Sequence, residues 1–122
     1  MNNIFLKGKN AELMVAAYLR KHGCIIAKMN YHSRFGEIDI IAETKSTIMF
    51  VEVKMRGQNS IMAPAEAVDA AKQRKIVSTA NDFLLKSHLT GLQPRFDVAE
   101  VFEETLPNGK KRYKINYIKN AF

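Results

Sequence analysis

The chain has 122 residues, which fits one domain around a single hydrophobic core and excludes a second domain of ordinary size. Apolar residues make up 47% of it and charged residues 25%, which excludes a disordered chain, and no apolar run approaches the roughly 18 residues of a membrane span. Nineteen Lys and Arg against twelve Asp and Glu give a net charge of +7, which favours a polyanionic partner, nucleic acid first, although many small basic proteins bind none.

The N-terminal sequence "MNNIFLKGKNAEL" lacks the basic head and unbroken apolar core of a secretory signal. Cys24 is the single cysteine, so an internal disulfide and a cysteine-based metal site are excluded. We therefore expect a cytoplasmic protein that contacts no membrane.

The first predicted element is a helix over about residues 7–22, with Asn10 as its cap and Gly23 after its basic last turn. A short strand over residues 24–29 follows, and "YHSRFG" then predicts a polar turn. Two further strands are predicted at about residues 35–42 and 47–55, joined through "ETKS".

The second half of the chain begins with "RGQNSIMAP", whose composition predicts a surface loop, and Pro64 suits the first turn of a helix that extends to about residue 86. "PRFDVAEVF" and "KRYKINYIK" predict two strands joined by the Asn-Gly turn of "LPNG". The order αβββαββ predicts one α/β domain over residues 1–122, with a mixed five-stranded sheet flanked by helices.

Acidic residues interrupt both strands of the central predicted hairpin. Because side chains alternate along a strand, Glu37 and Asp39 share one face, while Ile38 and Ile40 share the other. The aliphatic face is expected to supply the core, which leaves the acids on a separate face.

Pairing Asp39 directly with Glu52 makes Glu43 face Ile48 and leaves "TKST" as a connection of common hairpin length. Directly opposed residues have Cβ atoms about 4.5–5.5 Å apart, so Asp39, Glu52 and Lys54 would converge on one patch. Two facing carboxylates repel each other unless a cation compensates. Mg²⁺, with Mn²⁺ as a substitute, accepts such oxygen ligands, and a neighbouring lysine can orient water at a phosphorus centre.

These parts are those needed to hydrolyse a phosphodiester. The alternative interpretation is that Lys54 forms ordinary cross-strand ion pairs with Glu37 or Asp39 on a half-exposed sheet face. Spacing alone does not distinguish the two.

Asp39, twelve intervening residues and then Glu52-Val53-Lys54 together resemble the PD-(D/E)xK motif of the restriction-endonuclease-like nucleases, with Ile38 in place of the motif's Pro. More closely, "GEIDIIA", "FVEVKMR", "RFDV" and the terminal "NAF" are similar to the YraN family of small bacterial proteins. This likeness covers nearly the whole chain.

The Glu of "GKNAELMVAAYL" resembles the metal-site Glu on a helix of archaeal Holliday-junction resolvases. The resemblance implies a restriction-endonuclease-like core, Glu12, Asp39 and Glu52 as metal-binding catalytic acids, and Lys54 as the catalytic lysine. It further implies a Mg²⁺-dependent endonuclease that acts on branched or structured DNA, and a symmetric homodimer if the likeness extends to assembly. The alternative for Glu12 is a first-turn acid that favours the helix dipole.

The remaining charged residues have less specific expected roles. Glu37 is expected either to support the metal-binding acids or to pair with Arg34 or Arg56, and Asp97 is expected to tie strand ends through Arg95. Candidate phosphate contacts are Arg34, Arg56, Lys72 and Lys75, although exposed helix charges are commonly only solvated.

Two rival functions stay open on the sequence. One is a nucleic-acid-binding module that keeps the nuclease fold without cleaving. The other is an adaptor for a DNA-processing protein, in which the acids are structural.

Overall fold

Two α-helices flank one five-stranded sheet in the computed structural model, which describes residues 4–56, 68–87 and 91–122. The helices are α1 (Ile4–Lys21) and α2 (Ala70–Ser87). The strands are β1 (Ile25–Ser33), β2 (Gly36–Glu43), β3 (Thr47–Arg56), β4 (Gln93–Thr105) and β5 (Lys111–Ile118). The predicted α/β class and the order αβββαββ are confirmed.

The sheet has the strand order β1-β2-β3-β4-β5. β3 and β4 pair in parallel, while the other three neighbouring pairs are antiparallel, so the sheet is mixed as predicted. A parallel pair needs a crossover connection, and α2 lies within that connection between β3 and β4. Helix α2 packs against one face of the sheet, and α1 packs against the other.

Each helix buries its own apolar cluster against the sheet. The α1 core consists of Ala11, Val15, Ala16, Leu19, Ile40, Ala42, Met49, Val51, Ala99 and Val101. The α2 core consists of Ile38, Ile41, Ile48, Phe50, Val68, Ile76, Ala80, Phe83 and Val98. Because β2, β3 and β4 contribute to both clusters, the central strands are buried on both faces, and any charged residue they carry needs a partner.

Helix α1 ends as predicted but begins earlier than predicted. Gly23, at φ 85°, follows the helix, and the N–H of Cys24 donates to the carbonyl of Leu19 at 2.9 Å, which closes the last turn as expected for a helix that ends at Gly. The helix begins at Ile4, however, so Asn10 lies inside it and the prediction that Asn10 caps it is wrong.

Helix α2 begins at Ala70, later than predicted, because Asp69 supplies the cap: its Oδ1 accepts a hydrogen bond from the N–H of Lys72 at 2.8 Å. Pro64 and the predicted loop over residues 57–63 lie outside the described residues. Of the helices in the part of the chain that the structure describes, neither is long and apolar enough to cross a membrane.

Strand β1 is longer than predicted, since Tyr31–Ser33 pair with β2 instead of forming a turn. Only Arg34 and Phe35 remain between the paired residues Ser33 and Gly36. The hairpin is fixed to α2, because Ser33 Oγ lies 3.0 Å from Thr79 Oγ1. A turn-like composition was therefore overridden by pairing with β2.

The fully buried Asp97 ties the C-terminal segment to β4. Its carboxylate accepts hydrogen bonds from Arg95 Nε at 2.9 Å, from the Tyr117 hydroxyl at 2.6 Å and from the N–H of Asn120 at 3.0 Å. The predicted tie between Asp97 and Arg95 is confirmed. A charge buried this completely is stable because it is paired and fully hydrogen-bonded.

Candidate active site

Asp39 lies where β2 and β3 separate. The last backbone pair of this ladder is Ile40 with Val51, in the register that pairs Glu43 with Ile48 and that was predicted from the sequence. Beyond it, the N–H of Val53, two residues after Val51, donates to Oδ2 of Asp39, one residue before Ile40, at 2.8 Å. The Asp39 carboxylate thus accepts a hydrogen bond that a main-chain carbonyl would accept in a continued ladder. This bond holds the Asp39 side chain close to Glu52.

A kink in β1 lies next to Asp39. Asn30, which falls opposite Asp39 in the register, has φ 52°, a left-handed conformation uncommon for residues other than Gly. On one side of the kink Ile40 belongs to the α1 core, and on the other side Ile38 belongs to the α2 core. The prediction that Ile38 and Ile40 share a face is therefore wrong, because the regular alternation of side chains stops at Asp39.

The pKa of Asp39 is raised from its ordinary value of 3.8 to about 7. Burial is the main cause, and the negative charge of Glu52 is the next. The hydrogen bond from Val53 acts in the opposite direction, while the charges of Glu12 and Glu37 raise the pKa further. The charges of three other acids thus oppose the ionisation of Asp39, and a cation bound beside it would favour that ionisation.

Glu52 is buried, with 7% of its surface exposed, and two lysines contact the same oxygen. Lys72 Nζ lies 2.7 Å and Lys54 Nζ 3.8 Å from Glu52 Oε1. Burial and the neighbouring positive charge of Lys72 lower the pKa of Lys54. The predicted convergence of Glu52 and Lys54 is present, but Lys72, predicted as a phosphate contact, belongs to this cluster through its bond to Glu52.

Glu12 reaches the neighbourhood of Asp39 from α1. It lines a cleft of about 370 Å³ together with Gly8, Lys9, Asn30, His32 and Glu37. Its Oε1 is buried and has no hydrogen-bond partner among the described residues, since Lys9 Nζ lies 3.9 Å away. Because α1 begins at Ile4, Glu12 lies more than two turns into the helix, so the alternative of a first-turn acid is wrong.

The three acids that the family resemblance implies as metal ligands do not form a complete set of ligands in this structure. Across residues 4–56, 68–87 and 91–122, no three Asp, Glu, His or Cys side chains form a group that could hold a metal ion as they stand. Asp39 and Glu52 lie together with Lys54 and Lys72, whereas Glu12 lines the adjoining cleft. Glu37 lines the same cleft, and its Oε2 lies 3.8 Å from His32 Nδ1.

Glu100 is a buried acid of this face that the sequence interpretation missed. It lies beside Lys54 in the β3–β4 register and is 2% exposed. Its carboxylate accepts hydrogen bonds from Arg56 Nε at 3.2 Å and Asn116 Nδ2 at 3.0 Å. Its position two residues after Val98, on the face of a buried strand, is the signal that could have identified it.

Arg56, a predicted phosphate contact, pairs with this buried acid. Only 13% of its side chain is exposed, and its Nε is bonded to Glu100. Its Nη2 is buried and has no hydrogen-bond partner within the described ranges. Arg56 therefore stabilises the buried carboxylate of Glu100, and its predicted contact with phosphate stays a prediction.

The other two predicted phosphate contacts lie on the surface next to α2. Arg34 is exposed, with its guanidinium carbon 4.8 Å from the centroid of the Phe35 ring, and both residues line a groove of about 580 Å³ along α2. Lys75 is exposed where Gly36 approaches the helix. Their role in binding stays a prediction.

The comparisons with known proteins agree with the family resemblance. Residues 11–101 match the profile of a family described as "Uncharacterised protein family UPF0102". A UPF0102 protein of Persephonella marina is 41% identical over 113 residues, which cover 93% of this chain and 97% of that protein. UPF0102 proteins of Desulforapulum autotrophicum and Caldanaerobacter subterraneus subsp. tengcongensis are each 43% identical over 115 residues, or 94% of this chain, covering 91% and 93% of their own lengths. The chain therefore belongs to the family UPF0102.

Proposed function

We propose that this protein is a divalent-metal-dependent endonuclease that hydrolyses phosphodiester bonds of DNA. The observation that carries the proposal is the position of Asp39 beside Glu52 at the separation of β2 and β3, with Lys54 on the same strand as Glu52. An acid such as Asp39, whose pKa is raised by burial and by a neighbouring acid, is typical of an active site. The PD-(D/E)xK resemblance names the same three residues.

The side chains present fit Mg²⁺, or Mn²⁺ in its place. Asp39 and Glu52 offer carboxylate oxygens, and the buried Oε1 of Glu12 lacks a hydrogen-bond partner among the described residues. Since Mg²⁺ is commonly held by one or two carboxylates and keeps several waters, Asp39 and Glu52 would bind it directly and Glu12 through a water. When bound, the ion would supply Lewis-acid stabilisation of the phosphate and a more acidic water.

Lys54 is the group that would act on the water and the phosphate. Its amine projects from β3 beside Glu52 and is 22% exposed, so it is held by the sheet and still accessible. As an ammonium it would stabilise the negative charge that develops on the phosphate oxygens. The same ammonium would also orient the attacking water by donating a hydrogen bond to it.

The substrate class rests on charge and on the family resemblance. The net charge of +7 favours DNA as the partner, and Arg34 and Lys75 offer exposed cations for its phosphates. Branched or structured DNA, and a homodimer that presents two sites to it, are proposed from the likeness to Holliday-junction resolvases. The single cysteine fits a cytoplasmic location.

The test uses the purified full chain with labelled four-way-junction, duplex and single-stranded DNA, in Mg²⁺, Mn²⁺ or EDTA. We expect metal-dependent cutting that falls by about 100-fold or more in Asp39→Asn, Glu52→Gln and Lys54→Ala. Glu43→Gln is the matched control, because it makes the same change of acid to amide at the far end of β2. Cutting that persists in EDTA or in the Asp39→Asn variant would contradict the proposal.

A second candidate function is a DNA-binding module without cleavage. It is favoured by the bond of Lys72 to Glu52 and by the lack of a ready three-acid metal group among the described residues. The same experiment separates the two, since retention of DNA on native gels without metal-dependent products would support the module.

A further inference from the structure

Lys72 and Glu52 form the shortest contact between opposite charges in the candidate site. Lys72 Nζ lies 2.7 Å from Glu52 Oε1, and Glu52 is nearly buried. A Mg²⁺ ion bound by that carboxylate would take the same kind of oxygen as a ligand and would bring its own waters. The Lys72 ammonium and the metal ion therefore compete for the same position beside the Glu52 carboxylate. We infer that Lys72 is the counter-ion of the metal-free site and that a divalent cation must displace it from Glu52, an inference that rests on the proposed function.

The charges around Glu52 explain why one lysine must leave. Glu52 contacts two ammonium groups, Lys54 and Lys72, and the charge of Asp39 also acts on both, so these four groups are close to neutral when all are ionised. A divalent cation added to this neutral set would gain little net attraction. Removal of one ammonium restores the excess of negative charge that a metal ion needs.

Lys72 is the lysine that can leave. Its side chain is 42% exposed, compared with 22% for Lys54, which projects from a central strand of the sheet. Lysine reaches solvent by rotation of its flexible stem, and an exposed ammonium regains its hydration there. The movement is therefore expected to be confined to the side chain.

The helix that carries Lys72 is held in place independently of Glu52. The N–H of Lys72 donates to Asp69 Oδ1 at 2.8 Å, and Gln73 Nε2 donates to the carbonyl of Val68 at 2.8 Å. Val68 is fully buried in the α2 core. Because these bonds do not involve the ammonium, its release leaves the first turn of α2 capped.

The competition is tested by Mn²⁺ binding, measured by titration calorimetry at pH 8 on the wild-type chain, Lys72→Met and Lys86→Met. Lys72→Met is expected to bind Mn²⁺ about tenfold more tightly than wild type, since the metal no longer displaces an ammonium. Lys86→Met is the matched control: it removes the same charge from the same helix, at an ammonium that is 72% exposed and paired with Asp82, and the affinity of this variant should change less than about twofold. Equal or weaker binding by Lys72→Met would overturn the inference.

A second measurement needs only the wild-type chain. Reductive methylation followed by mass spectrometry reports how accessible each lysine amine is. Saturating Mn²⁺ should raise the labelling rate of Lys72 at least about fivefold and leave that of Lys86 unchanged, because displacement frees the amine from Glu52. An unchanged Lys72 rate in the presence of bound Mn²⁺ would also overturn the inference.

DNA cleavage by the same preparations separates this inference from the proposed function. If the wild-type chain cuts DNA with Mn²⁺ but Lys72→Met shows no gain in affinity, the inference fails and the endonuclease proposal stands. If no Mn²⁺ binds to either protein, both fail.

Discussion

The N–H of Val53 donates a hydrogen bond to Oδ2 of Asp39 at 2.8 Å, across the gap where β2 leaves β3. This bond fixes an acid inside the sheet, next to Glu52, at the point where two strands separate. The charge of Glu52 and the burial of Asp39 then oppose its ionisation, while the bond from Val53 favours it. The balance leaves a carboxyl group whose pKa of about 7 makes its charge depend on pH near neutrality.

Asp39→Asn is expected to stabilise the metal-free protein at alkaline pH. The pKa of Asp39 is about 7 in the folded chain and 3.8 ordinarily, so between these values the folded chain keeps a proton that the unfolded chain has lost. Stability contributed by this group is therefore lost as the pH rises through that window. Asparagine keeps an acceptor for Val53 without the charge. Urea unfolding in EDTA should show the gain from Asp39→Asn growing by at least about 1.4 kcal/mol between pH 4.5 and pH 8. A gain that is the same at both pH values would contradict the raised pKa.

Metal binding is expected to be linked to proton release by the same group. Asp39 must lose its proton to act as a ligand, so a proton competes with the metal below pH 7 and not above it. Apparent Mn²⁺ affinity should rise by up to about tenfold per pH unit below pH 7 and level off above it. Calorimetry at pH 6 in two buffers of different ionisation enthalpy should report release of about one proton per metal ion bound. Affinity that does not vary with pH would exclude Asp39 as a ligand with this pKa.

Most of the sheet could be predicted because its information is local. The register that pairs Glu43 with Ile48 was predicted by opposing Asp39 to Glu52 across a connection of common hairpin length, and it is observed. Alternation fails at Ile38, which belongs to the α2 core while Ile40 belongs to the α1 core, beside the position where Asn30 of β1 has a left-handed conformation. A single non-Gly residue in this conformation leaves no mark on hydrophobic periodicity.

The parts of the site that were missed are contacts between distant elements. Arg56 was predicted as a phosphate contact, but its Nε donates a hydrogen bond to Glu100, a residue 44 positions away on β4. Lys72 likewise contacts Glu52 only because α2 packs against the sheet. Each residue taken alone has the sequence signature of a solvated charge, and only the tertiary arrangement decides which acid it pairs with.

Arg56→Ala is expected to destabilise the fold by about 3 kcal/mol, because it leaves the buried carboxylate of Glu100 without its cation. Arg112→Ala is the control: Arg112 also pairs with a glutamate across β4 and β5, Glu104, but on the exposed surface. That loss should stay below about 1 kcal/mol. Urea unfolding of both variants at pH 7 gives the comparison, and similar losses would mean that burial of Glu100 does not govern the energy of its ion pair.

Glu12→Gln tests whether α1 contributes to the proposed site. Glu12 lies too far into the helix for its charge to be explained by the helix end, and its buried Oε1 lacks a hydrogen-bond partner among the described residues. If Glu12 orders a metal-bound water, the neutral amide should lower metal-dependent DNA cleavage by about 10- to 100-fold.

The fold should tolerate the change, since Glu12→Gln removes one of the negative charges that raise the pKa of Asp39. We therefore expect metal-free stability at pH 8 that equals or exceeds that of wild type in urea unfolding. Glu37→Gln is the companion variant, because Glu37 lines the same cleft but its side chain is 45% exposed, and a smaller loss of cleavage is expected. Full cleavage by Glu12→Gln would assign the site to the hairpin alone, with Asp39, Glu52 and Lys54 sufficient for hydrolysis and α1 serving only to cover the sheet.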